Sequence, residues 1–130
     1  MYRWVDHTAE VELLVEAESE EGVFRESLEA LRELLGTAPD GEARSLRVEL
    51  EAPDRAALLA DWLAELVFLS ETDRFLPERA RELALEGTRV CATVEGRSAT
   101  PRFLVKAVTL HRLAFERANG GFRARVVLDV

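Results

Sequence analysis

The hydrophobic period of this chain changes from alternation to a helical repeat and back, twice over, and that pattern limits the fold more than any single residue. Residues 2–7 alternate in part and Val11 to Ala17 is an apolar-rich run, so two strands are expected around a polar corner, Asp6 to Glu10. Ser19 then offers an N-cap with Glu20 and Glu21 in the first turn. Phe24, Leu28, Leu31 and Leu35 follow at steps of four, three and four up to Gly36. That spacing gathers apolar side chains on one face of a helix, whereas alternation sends them to the two faces of a strand. Thr37 to Ala43 reads as a turn, and Leu46, Val48 and Leu50 alternate with Arg47, Glu49 and Glu51 as a half-buried strand. Asp54 caps a second helix in which Leu59, Trp62, Leu63, Leu66 and Val67 form one stripe, ending near Ser70 to Asp73.

Beyond Pro77, strands are expected over 81–86, 89–95, 103–116 and 122–130, punctuated by Gly87, Gly96, Pro101 and the hairpin signal Asn119, Gly120, Gly121. The expectation is therefore an α+β fold: a single two-layer domain over residues 1–130, with a mixed β-sheet of about six or seven strands and two helices packed on one face. A chain of 130 residues should expose about 7,000 Å² once folded, so its core needs no disulfide or metal.

Charge removes several function classes. Seventeen basic against 25 acidic residues give a net charge of −8, which argues against non-specific binding to nucleic acid or to an anionic membrane. Residues 1–65 carry 6 basic and 17 acidic groups and residues 66–130 carry 11 and 8, an asymmetry that matters only if the halves do not interleave. No apolar run reaches the roughly 18 residues of a membrane span and the N-terminus does not resemble a signal peptide, so a cytoplasmic location is expected. The lone Cys91 cannot form an internal disulfide and reads as an inert packed thiol.

No phosphate loop, dinucleotide fingerprint, zinc-ligand spacing or nucleophile elbow is present, which removes the enzyme classes that such motifs announce. Two histidines and one cysteine also argue against structural zinc. A hard-cation site built from carboxylate oxygens stays open, because it needs no special spacing. Two places invite it. The corner Asp6, His7, Thr8, Ala9, Glu10 concentrates acids, an imidazole and a hydroxyl at a turn. The ending Asp129, Val130 sets a side-chain carboxylate beside the α-carboxylate of Val130. Sixteen of the 17 basic residues are arginine, so the single lysine, Lys106, is a candidate for a role that a planar guanidinium cannot fill. Uninterrupted strand alternation places Lys106 and His111 on opposite faces, which argues against their acting as an acid and base pair.

The segments His7–Thr8–Ala9–Glu10, Leu58–Leu59–Ala60–Asp61–Trp62–Leu63–Ala64–Glu65–Leu66, Lys106 to His111 and Leu128–Asp129–Val130 together resemble the archease family in order and spacing over nearly the whole chain. Glu10 stands where the family motif has aspartate, and Leu110 where it has tyrosine. The resemblance implies a non-catalytic, chaperone-like cofactor of the GTP-dependent RNA-splicing ligase of the RtcB type. Such a cofactor promotes guanylylation and multiple turnover of the ligase in tRNA splicing or RNA repair, and meets RNA only through the ligase. It also implies a divalent cation, with calcium the foremost candidate, bound through Glu10, Asp129 and Val130, and a role for Lys106 in activation. His7 and His111 are secondary candidates. The alternative is a small metal-dependent hydrolase or nuclease using Glu10 and Asp129, for which only His7 offers a nearby general base. A free-standing RNA chaperone conflicts with the acidic balance and with the lack of aromatic residues interleaved among basic ones.

Overall fold

Two helices and seven strands form where the period of the sequence changes. A computed structural model describes residues 1–130 in the order β1 (Tyr2–His7), β2 (Glu10–Ala17), α1 (Glu20–Leu35), β3 (Ala43–Glu51), α2 (Arg55–Thr72), β4 (Phe75–Glu86), β5 (Arg89–Ser98), β6 (Ala107–Ala118) and β7 (Gly121–Asp129). Both expected caps are made. The Ser19 side chain accepts from Gly22 N–H and the Asp54 carboxylate from Ala57 N–H, each satisfying a donor that the first helical turn leaves free. Gly36 ends α1 at φ 104°, a backbone region closed to most side chains.

The strands divide between two antiparallel sheets, not one mixed sheet. The first has the order β1-β2-β7-β6 and the second β3-β5-β4. The reason lies in the connections. Short hairpins link β1 to β2, β4 to β5 and β6 to β7 and enforce antiparallel neighbours. The α1 segment carries the chain from the first sheet to the second instead of returning it beside β2. Within the second sheet, β3 and β4 both run antiparallel to β5 and hence parallel to each other, with α2 as their crossover.

Three strand bounds differ from the sequence expectation. β4 begins at Phe75 and contains Pro77, which an edge strand tolerates because a missing N–H costs no ladder bond there; the register shifts at the same place. β5 runs through Gly96, where a Cβ would lie 2.2 Å from the Leu76 carbonyl oxygen, so glycine permits a close approach of β4 and does not end the strand. β6 starts only at Ala107, since residues 103–106 belong to the loop returning to the first sheet.

Both helices contact both sheets, and a cluster of 28 buried side chains joins helices and sheets into one core. Trp62 is fully buried and its indole N–H donates to the Phe24 carbonyl at 3.1 Å, so the bulkiest core residue is also satisfied as a donor. The folded protein exposes 6963 Å², close to the value expected from its size. Cys91 is half-buried, on a strand of the second sheet. No helix is long and apolar enough to cross a membrane.

Candidate cation and partner site

The antiparallel register of the first sheet aligns residues from both ends of the sequence in one row: His7 opposite Glu10, Glu10 opposite Asp129, and Asp129 opposite Ala107. Side chains directly opposite share a face, with Cβ atoms about 4.5–5.5 Å apart. Val11, Leu13 and Val15 enter the core, so Glu10 and Glu12 project from the other face of β2, away from the helices. The two-residue turn Thr8–Ala9 places Ala9 at φ 61° and aims its carbonyl at Val130 N–H, 3.1 Å away. Lys106 N–H donates to the Asp129 carbonyl at 2.8 Å. The row thus brings together Glu10, Asp129, the last residue and the backbone of Lys106, four of the positions singled out in the sequence.

His7 and His111 fare differently. His7 sits opposite Glu10 in register, yet its imidazole Nε2 lies 3.1 Å from Oε1 of Glu12. An ionised carboxylate only accepts, so Nε2 carries the proton in this contact. It is therefore engaged elsewhere than a base serving Glu10 would be. His111 is exposed and lies within a bulge: Thr109 pairs with Val127 and Ala114 with Arg125, leaving residues 110–113 against Val126 alone. The bulge breaks the alternation that would have set His111 opposite Lys106 in facing. Lys106 itself lies one residue before β6, with its side chain exposed.

Glu12, Arg112 and Arg125 form the part of this face that sequence reasoning missed. The Glu12 side chain is only 7% exposed, and it meets three cationic or donor groups: Arg125 Nε at 2.8 Å, His7 Nε2 at 3.1 Å and an Arg112 guanidinium nitrogen at 3.5 Å. The His7 hydrogen bond and the charges of Arg112 and Arg125 hold its carboxyl below the usual carboxylate range, although burial pushes the other way. The other nitrogen end of Arg112 lies 3.6 Å from Glu10 Oε1. Alternation gave the only available signal, since Glu10 and Glu12 share one strand face and Arg125 and Asp129 share another. The bulge that delivers Arg112 has no signature in the sequence.

Two halves of opposite charge balance therefore do interleave. Glu10 and Glu12 of β2 meet arginines of β6 and β7, but the compensation along the row is uneven. Glu10 has Arg112 as its single ion-pair partner, and Asp129 has none. No group of three or more His, Cys, Asp or Glu side chains is gathered in metal-ligand geometry. The expected cation set comprises two side chains and the Val130 carboxylate. All of its donors are oxygens and its charge is in excess over the adjoining guanidinium, which is the chemistry of a hard-cation site.

The profile of the archease protein family (MTH1598/TM1083) matches residues 2–130. Curated relatives include Protein archease of Methanosarcina mazei, 32% identical with 99% of this chain and 95% of the relative covered, and that of Archaeoglobus fulgidus, 31% identical with 99% and 98% covered. The solution structure of Methanobacterium thermoautotrophicum Protein 1598 superposes with a TM-score of 0.73 at 27% identity, covering 99% of this chain and 98% of that one. A Thermotoga maritima crystal structure, described as an archease and possible chaperone, shares the fold with a TM-score of 0.71 at 24% identity, covering 100% and 98%. With the profile spanning nearly every residue and relatives above 30% identity along nearly their whole length, the chain belongs to the archease family.

Proposed function

We propose that this chain is a non-catalytic activator of a GTP-dependent RNA-splicing ligase of the RtcB type, acting in tRNA splicing or RNA repair, and that it works from the end of the first sheet where β1, β2, β6 and β7 meet. The observation that carries this reading is the convergence of three family motifs there: Glu10 opposite Asp129 in register, and the Lys106 N–H on the Asp129 carbonyl. Glu10, Asp129 and the Val130 carboxylate hold a divalent cation, calcium, whose charge offsets their mutual repulsion and ties the first hairpin to the last strand. The Lys106 ammonium, exposed and in no ion pair of this protein, is offered to the ligase as a compact cation. RNA is met through the ligase alone, in keeping with the net charge of −8.

A hydrolase or nuclease reading finds less support. His7 is the one imidazole near Glu10, and it is bonded to Glu12. The test is formation of the guanylate adduct on an authentic partner ligase, followed with labelled GTP with and without this protein. Faster adduct formation and restored multiple turnover are expected, with no label on this chain. Unchanged adduct formation at saturating protein, or RNA cleavage by this protein alone, would overturn the proposal.

A further inference from the structure

Arg112 has no part in the family motifs, yet the fold takes unusual measures to place it. It sits in the four-residue bulge of β6 at φ 54°, a left-handed conformation that crowds the Cβ against the backbone and that residues other than glycine rarely adopt. From there its guanidinium spans two carboxylates, 3.5 Å from Glu12 and 3.6 Å from Glu10. The two carboxylates depend on it unequally. Glu12 keeps Arg125 at 2.8 Å and His7 at 3.1 Å without it, whereas Glu10 has no other cation. Both Arg112 contacts are longer than a hydrogen bond, and its side chain is 40% exposed, so it can withdraw toward water at small cost.

We infer that Arg112 is an internal counter-cation for Glu10, competing with the divalent cation for that carboxylate and so setting the affinity of the site. The inference rests on the cation reading of Glu10, Asp129 and Val130. With the ion absent, the guanidinium offsets the Glu10 charge and holds the sheet end together. With the ion bound, the two positive charges repel, and Arg112 retreats to Glu12 or to solvent. Because Arg112 lies in the bulge, its release is felt by its neighbours His111 and Leu110, the latter 73% exposed, on the strand that follows Lys106. Occupancy of the cation site is thereby coupled to the surface beside the lysine.

The test is calorimetric titration of calcium chloride into the wild-type chain, Arg112→Gln and Arg112→Lys, after each has been shown to melt cooperatively in calcium-free buffer. Loss of one repelling, partly exposed charge should tighten calcium binding of Arg112→Gln by about threefold to tenfold. Arg112→Lys, which keeps the charge, should stay within about threefold of wild type on the same scale. Equal or weaker binding by Arg112→Gln, or a Lys variant that tightens as much as Gln, overturns the inference while leaving the cation site standing. Absence of binding by all three overturns both. A second readout needs no variant: in the wild-type chain, calcium should shift the Arg112 Nε–H resonance along with those of Leu110 and His111, and a titration that leaves the Arg112 signal unmoved contradicts the proposal.

Discussion

Both sheets present glutamates and arginines on the face turned from the helices, but they balance these charges in opposite ways. In the second sheet, Glu95 meets Arg79 at 2.6 Å and Arg81 at 3.0 Å, while Glu49 lies between Arg47 at 3.4 Å and Arg89 at 3.9 Å. These carboxylates each have two guanidiniums and remain in contact with water, where such pairs add little stability. In the first sheet, Glu12 is buried and has three partners, and its neighbours Glu10 and Asp129 have one shared partner and none. The two sheets thus carry three kinds of carboxylate between them. Saturated and exposed groups keep a surface soluble; a saturated, buried group holds strands in register; unsaturated groups in a fixed row are available to a ligand.

Removing the buried group should have the largest effect. Glu12→Ala leaves Arg125, Arg112 and His7 without their common partner, and a loss of about 2–3 kcal/mol is expected, since the arginines can still turn to water. For a chain of this size that lowers the melting temperature by about 10 °C. The same residue makes the first sheet acid-sensitive. Its carboxyl is held below the usual range in the folded protein, so the unfolded chain binds the proton first as pH falls, and the stability it contributes fades through and below the ordinary carboxylate range. Melting of the wild type should therefore fall more steeply than that of Glu12→Gln as pH drops below about 4.5. Parallel pH profiles would contradict the assignment.

Lys106→Ala comes next in size. It should melt like the wild type, because the ammonium is exposed and only its backbone N–H is bonded within the fold, yet it should lose about nine-tenths of ligase stimulation if a charge-assisted contact is removed. Lys106→Arg should recover little of it, as a planar fork does not reproduce a compact ammonium. Full recovery with arginine would reduce the lone lysine to a coincidence of composition. The smallest effect is expected in the second sheet, where Glu95→Gln should leave both melting and stimulation unchanged within error. A marked loss there would erase the contrast between the sheets.

The helices were legible because caps and apolar steps are local: Ser19, Asp54 and the stripe through Trp62 specify α1 and α2 without reference to the rest of the chain. The division into two sheets was not, since period-2 alternation names a strand's faces and leaves its neighbours open. The motif residues Glu10, Asp129 and Lys106 were identified one by one, and family resemblance supplied their association. Their adjacency is a product of long-range pairing between β2 and β7. Glu12 escaped notice for a different reason. An outward-facing glutamate on a strand normally reads as solvated, and its burial comes from the long side chains of Arg112 and Arg125, one of them delivered by a bulge.

The claim that adjacent under-paired carboxylates make the end of the first sheet a cation site is tested most directly by calcium-dependent melting of three proteins: the chain ending at Val130, the chain extended past Val130 by a tag, and Glu10→Gln. Binding to the folded state alone should stabilise the first by about 2.7 kcal/mol at a hundredfold excess of calcium over Kd. The tag converts the Val130 carboxylate to a neutral amide and Glu10→Gln removes the opposite charge, so both should show a clearly smaller rise at the same calcium concentration. A first protein whose melting temperature ignores calcium, or three that rise alike, would contradict the account.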